Sequence, residues 1–203
     1  MKSVVIVDYR SGNLHSVERA IRHVSPHQVQ VSGDPSVIEA ADAVVFPGQG
    51  AAKQCMAALT QAGIIPSLMK TAMDRPFLGI CMGLQVLMHH SDEDGGVDGL
   101  GVMEGEVKSL DAPGLKVPHM GWNAIDQVDD HPLWHGIDQA AHFYFVHSYC
   151  VVPKAVEHVA GTTTYGASFC SAVARDQLFA IQAHPEKSGE TGLQLLRNFC
   201  ERV

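Results

Sequence analysis

Basic residues are scarce in this chain. Lysine and arginine number 14 against 22 aspartates and glutamates, for a net charge of −8. With no run of Lys or Arg, nothing marks a phosphate-binding face, and nucleic acid is excluded as an expected partner. No apolar stretch reaches the ~18 residues that a membrane span needs. The opening "MKSVVIVDYR" reads as a short strand interrupted by Asp8, without the pattern of a cleaved leader. The five cysteines, Cys55, Cys81, Cys150, Cys170 and Cys200, are odd in number and irregular in spacing. No Cys-x-x-Cys occurs, which argues against a disulfide framework and a zinc ribbon and for a reduced, cytoplasmic setting. His-Glu-x-x-His and clusters with metal-ligand spacing are also missing, so no metal is expected. Repeats, linkers and low-complexity segments are absent as well.

What is present is a chain of 203 residues, 46% hydrophobic and 18% charged, enough for one α/β domain with a sizeable core. The first half alternates strand and helix. Strands are predicted at 4–9, 27–32 and 42–48, and helices within 12–24, at 34–41 and from about 51 to 73, the last broken near Gly63 and Pro66. Asp34 suits an N-cap and Pro35 a first helical residue. This βαβαβ rhythm implies a mostly parallel sheet covered by helices. The second half reads as a close succession of strands, among them 120–128 and 142–152, some expected as antiparallel hairpins, and 188–203 reads as a closing helix. The expectation is one domain spanning 1–203.

The stretch "FLGICMGLQVLMHH" (77–90) holds the strongest chemical signal. Phe77, Leu78 and Ile80 fit a buried strand, whereas Leu84, Leu87 and Met88 fall at helical spacing. Cys81 stands at the change, between Gly79 and Gly83. Gly-x-Cys-x-Gly at a strand-to-helix switch is a nucleophile elbow with sulfur in place of oxygen. A helix beginning there aims its first N–H groups at the sulfur, an arrangement that lowers a thiol pKa from ~8.5 into the range ~3.5–7.5.

A cysteine nucleophile needs a base, and the base an orienting group. Twelve histidines are available, so position must select. In "FAIQAHPEKSG", His184 follows an apolar strand, and Glu186, two residues on, shares its face if the segment is extended. Glu186 would then fix the tautomer of the ring and stabilise imidazolium. By itself His-Pro-Glu is an ordinary surface turn. With the elbow about 100 residues earlier, and both at the C-terminal ends of strands, a triad is the better account. Acyl transfer also needs an oxyanion hole. "VVFPGQG" supplies Gly48 and Gly50 as backbone donors, with the N–H of Met82 as the second, although a plain β-to-α turn has the same composition.

Together Gly79, Cys81, Gly83, His184 and Glu186 resemble the triad (class I) glutamine amidotransferases, a resemblance that covers the chain from end to end. It implies that glutamine is hydrolysed through a thioester on Cys81 and that ammonia passes to a synthase partner, with no cofactor. It assigns Gln85 to the glutamine substrate and "VHSY" to the groups holding the substrate's α-amino and carboxylate, namely His147, Ser148 and Tyr149. "DYRSGNLHSV", "VPHMGWN" and "FYFVHSYC" are similar to one branch of the family. Its members form a heterodimer with a (β/α)₈-barrel cyclase, which makes imidazole glycerol phosphate and aminoimidazole carboxamide ribonucleotide in histidine biosynthesis. That branch places Asn13, Trp122 and Lys187 at the partner interface. From the residues alone, Asn13 reads as a turn residue, Trp122 as one of two tryptophans in a loop-like setting and Lys187 as a solvated charge. Two departures stand out: Gln49, where many relatives carry a small apolar residue, and Ala183, where many carry an aromatic. The rival readings are an amidotransferase serving another partner, a cysteine peptidase or γ-glutamyl hydrolase acting alone, and a non-catalytic binding protein.

Overall fold

The structure, a computed structural model, describes residues 2–10 and 14–203. The strands in chain order are β1 (Ser3–Val7), β2 (Gln28–Ser32), β3 (Ala43–Gly48), β4 (Phe77–Cys81), β5 (His90–Ser91), β6 (Val97–Asp98), β7 (Gly105–Ser109), β8 (His119–Gln127), β9 (Ala141–His147), β10 (Tyr149–Pro153), β11 (Val159–Tyr165), β12 (Ala167–Arg175) and β13 (Leu178–Ile181). They lie in the order β2-β1-β3-β4-β13-β12-β10-β7-β5-β6, with β11 leading from β12 to β8 and β8 to β9. The five strands from β2 to β13 are mutually parallel. From β12 the ladder turns antiparallel, and most of the second half pairs that way.

The parallel strands are covered on both sides, which is why they read as unbroken apolar runs. Every residue of β3, β4 and β13 is buried. Helix α1 (Leu14–Val24) buries Val17, Ala20 and Ile21, the one-sided spacing of an amphipathic helix. Helix α6 (Gly189–Glu201) buries Leu195, Leu196, Phe199 and Cys200 in the same core. Asp34 caps α2 (Pro35–Ala40) by accepting from the Ser36 N–H at 2.8 Å. The predicted long helix is two helices, α3 (Ala52–Ala62) and α4 (Ile65–Asp74), separated where Gly63 adopts φ +68°.

Two expectations change. The helix after Cys81 is a single turn, α5 (Met82–Gln85), although Leu87 and Met88 continue the apolar spacing. The carbonyls of Val86, Leu87 and Met88 accept from the N–H groups of Leu100, Met103 and Gly101, so a distant segment takes the acceptors that a longer helix would use. The stretch 142–152 is two strands that part at Ser148, β9 joining β8 and β10 joining β7 and β12. Trp122 lies in strand β8, within the stretch 120–128 that reads as a strand, and so not in the loop-like setting given to it as a single residue. Asn13 falls outside the described residues. Among the described residues no helix is long and apolar enough to cross a membrane. No group of three or more His, Cys, Asp or Glu there could hold a metal ion.

Candidate active site

Because β3, β4 and β13 are adjacent and parallel, their C-terminal ends share one edge, where open α/β sheets place their sites. Cys81 ends β4 with φ +56° and ψ −108°, a conformation that side-chain-bearing residues rarely adopt. The flanking glycines have steric reasons. A Cβ on Gly83 would lie 2.0 Å from the Phe46 carbonyl oxygen, and one on Gly79 would lie 2.9 Å from the Ala180 Cβ. The elbow is therefore pressed onto β3 and β13, and its strain is held by packing on both sides.

His184 follows β13, and its backbone is fastened on two sides. Its N–H donates to the Tyr144 carbonyl at 2.9 Å, and its carbonyl accepts from the Ser188 hydroxyl at 2.7 Å. The ring Nδ1 lies 2.8 Å from Glu186 Oε1, and the two side chains are 3% and 1% exposed. The link is made by a 3₁₀ turn over Pro185–Lys187, not by the extended backbone expected. Pro185 starts that turn with its φ already set, and the turn folds Glu186 back under the ring. Burial works against charge on the ring, but the Cys81 sulfur and the Glu186 carboxylate outweigh it and hold His184 up at about 10. At neutral pH the pair is an imidazolium beside sulfur, oriented from behind by a carboxylate. Nε2, the nitrogen away from Glu186, is buried without a formed hydrogen bond, so its proton is available to a substrate.

Cys81 and His184 line a cavity of about 440 Å³, within the range that takes a small metabolite, with Glu186 behind the ring and outside the lining. Met82, Gln85, His147, Ser148 and Tyr149 line it, as does Lys187 at its margin. Gly50 lines it with φ +84°, together with Gln49. Gly48 does not. It is buried at the end of β3, where a Cβ would lie 2.7 Å from the Met82 Cβ and 2.8 Å from the Tyr9 hydroxyl. Its role in the loop is close packing beneath the elbow.

His147 is committed to the protein itself. Its Nδ1 donates to the Tyr149 carbonyl at 2.8 Å, which leaves Nε2 to accept from His119 Nδ1 at 2.9 Å. His119 Nε2 then accepts from the Asn123 amide at 3.3 Å. Burial pushes His147 down to about 4 and lowers His119 as well. Two neutral rings thus hold the Tyr149 backbone from below. Gln85 donates from Nε2 to the same carbonyl at 3.1 Å, and its Oε1 is buried without a partner.

Three of these residues escaped the sequence. Glu93 lines the cavity, and its Oε2 accepts from the Ala52 N–H. Within "SDEDGG" it looks like one of several solvated acids. His119 was hidden among twelve histidines. Gln182, fully buried beside Cys81, left one signal: a polar residue closing an apolar strand.

Residues 5–203 match the family model described as glutamine amidotransferase class-I. The chain belongs to the class I glutamine amidotransferases. Among curated proteins it is similar to the imidazole glycerol phosphate synthase subunit HisH of Hydrogenovibrio crunogenus, 54% identical over 98% of this chain and 95% of that one. The protein of the same name from Nitrosomonas europaea is 50% identical over 99% of each. Solved structures of lower identity share the fold. A crystal structure described as a glutamine amidotransferase superposes with a TM-score of 0.74 at 19% identity, over 97% of each chain. PurLQS of Thermotoga maritima gives 0.74 at 16%, over 99% of each. The mixed sheet expected of this amidotransferase fold, parallel in its first half and antiparallel in its second, is the one observed.

Proposed function

We propose that this amidotransferase hydrolyses L-glutamine to glutamate and ammonia and passes the ammonia to a separate cyclase in histidine biosynthesis. The observation that carries the reading is the buried His184–Glu186 pair beside Cys81, on a strained elbow opening into a cavity of metabolite size. The Cys81 sulfur attacks the side-chain amide carbon of glutamine. The oxygen gains negative charge and meets backbone N–H groups of Met82 and of Gln49–Gly50, which line the cavity. His184 gives its Nε2 proton to the leaving nitrogen, which departs as ammonia and leaves a thioester on Cys81. The ring, now neutral, takes a proton from water as the water attacks the thioester, and glutamate leaves with the sulfur restored. Glu186 keeps the ring oriented through both halves. Acid, base and nucleophile complete the reaction, so no cofactor is needed. Gln85 and the Ser148–Tyr149 backbone hold the α-amino and α-carboxylate groups, and the Glu93 carboxylate adds a negative charge that suits an ammonium.

The relatives named above are subunits by name, which supports a heterodimer with the (β/α)₈-barrel cyclase that makes imidazole glycerol phosphate. We place its interface on Asn13, Trp122 and Lys187. Trp122 is 56% exposed and Met120, two residues before it on the same face of β8, is 62% exposed. Such adjacent apolar exposure is a mark of a partner surface. All five cysteines are free and buried, which fits a cytoplasmic enzyme. Residues 1–203 act as one domain. The test is ammonia release from glutamine by this chain alone, with the cyclase, and with the cyclase and its nucleotide ligand. The expected order is near silence, modest activity and full activity. Equal rates in all three would favour a hydrolase acting alone.

A further inference from the structure

We infer that Gln182 is a positioning residue for the nucleophile: its side-chain amide donates to the Cys81 sulfur and holds it on its line of attack. Gln182 follows β13, whose Ile181 is paired with Ile80 of β4, so the two chain ends run side by side. Its backbone N–H donates to the Ser171 carbonyl at 2.8 Å, which fixes where the side chain starts. The side chain is fully buried, and its Nε2 lies 3.7 Å from Cys81 Sγ.

The amide can be oriented only one way. The Tyr149 carbonyl can only accept, so the end of Gln85 that meets it at 3.1 Å is the NH₂ group. That same NH₂ lies 3.0 Å from the Gln182 side chain, whose facing atom must therefore be Oε1. The Gln182 NH₂ is left directed at sulfur. Tyr149, Gln85 and Gln182 thus form a chain of donors and acceptors that ends on the reacting atom. His147, donating to the same Tyr149 carbonyl, anchors its far end. A donor on sulfur favours its negative form, and it occupies one lone-pair direction so that another faces the cavity. His184 supplies a mobile proton from a second side, whereas Gln182 donates a proton that never leaves.

The inference deepens the glutaminase reading and rests on it only where turnover is measured. Gln182→Met keeps the length of the side chain without the donor, and Gln182→Glu keeps the shape but turns an acceptor toward sulfur. In both, alkylation of Cys81 by iodoacetamide should slow about tenfold at pH 7, the scale of one lost hydrogen bond to a charged atom. The pH profile of alkylation should move to higher pH. With the cyclase, kcat should fall by a similar factor while the KM for glutamine stays near that of the parent. A Gln182 that merely tied β13 to α5 would lower the melting temperature and leave the alkylation profile in place. The unsubstituted protein gives an independent arm, because the Gln182 side-chain amide signals in a ¹⁵N spectrum should shift when Cys81 is alkylated. Parent-like alkylation rates and pH profiles in both variants, or amide signals indifferent to alkylation, would overturn the inference. Alkylation needs no glutamine, so these outcomes separate its failure from that of the glutaminase reading.

Discussion

Gly83→Ala is the sharpest test of how the elbow is held. The added Cβ would sit 2.0 Å from the Phe46 carbonyl oxygen, whereas ordinary contact begins at 3.4 Å. Backbone must therefore part from backbone by the difference, 1.4 Å, since no flexible side chain can give way. Overpacking a core costs typically ~1–3 kcal/mol, and a clash between two backbone segments belongs at the upper end. For a domain of this size, about 3 kcal/mol corresponds to a melting temperature about 6–12 °C lower. The segment displaced carries Cys81 on one side and the Gly48–Gly50 loop on the other. A misplacement of ~1 Å costs on the order of 10²-fold in rate. Gly79→Ala is the control in the same motif. Its Cβ would meet the Ala180 Cβ at 2.9 Å, the Leu87 Cδ1 at 3.2 Å and the Gly83 carbonyl carbon at 3.3 Å, so the nearest neighbour needs to give by tenths of an ångström and not by more than an ångström. That variant should lose about 1 kcal/mol and about 2–4 °C and keep most of its activity. Thermal unfolding by circular dichroism and ammonia release in the presence of the cyclase read both quantities. A Gly83 variant that melts and turns over like the parent, or a Gly79 variant that suffers more, would refute the account.

The remaining expectations follow from the site and from the partner face. Cys81→Ala should abolish ammonia release from glutamine but leave synthesis from added ammonia intact, and mass spectrometry after a glutamine-analogue label should find the parent's adduct on Cys81. His184→Ala should cost ~10²–10⁴-fold. Glu186→Gln removes the charge behind the ring at 2.8 Å and should cost about 10–100-fold, the worth of a charged hydrogen bond; a loss equal to that of His184→Ala would contradict the orienting role. Trp122→Ala should weaken stimulation by the cyclase and leave the alkylation rate of Cys81 alone, as stopped alkylation time courses can show. Acid should destabilise the fold through His147. Its buried ring sits at about 4, against ~6.5 for a free imidazole, so the unfolded chain binds the proton first. The stability that the neutral ring provides is complete above pH 6.5 and is lost as pH falls toward 4. Urea titrations at several pH values should show that slope, and His147→Asn should flatten it.

Much of the site was legible in the order of residues. A glycine-flanked cysteine at the switch from strand to helical spacing announced an elbow, because a sharp turn pressed on neighbouring strands leaves little room for a Cβ, least of all at Gly83. A histidine closing an apolar strand, with Pro-Glu after it, became a candidate base with its orienting acid only when set beside that distant cysteine, and the structure puts the His184 and Glu186 side chains in contact. Local chemistry sufficed for the elbow, as it did for the Asp34 cap and the Gly63 break, since each depends on a few adjacent residues. Tertiary structure decided the rest. It shortened α5 to one turn, because Leu100, Gly101 and Met103 take the carbonyls that would have extended it. It made the His184–Glu186 contact through a 3₁₀ turn. It also chose among like residues: His119 out of twelve histidines, and Glu93 out of a cluster of acids. Gln182 gained its place beside sulfur only when β13 paired with β4. Hydrogen bonds between residues 97 or 101 positions apart, such as those Gln182 makes with Gln85 and with Cys81, leave no periodicity in a sequence. They exist only because folding brings distant strand ends to one edge, where a buried amide must find partners or pay the full cost of losing water.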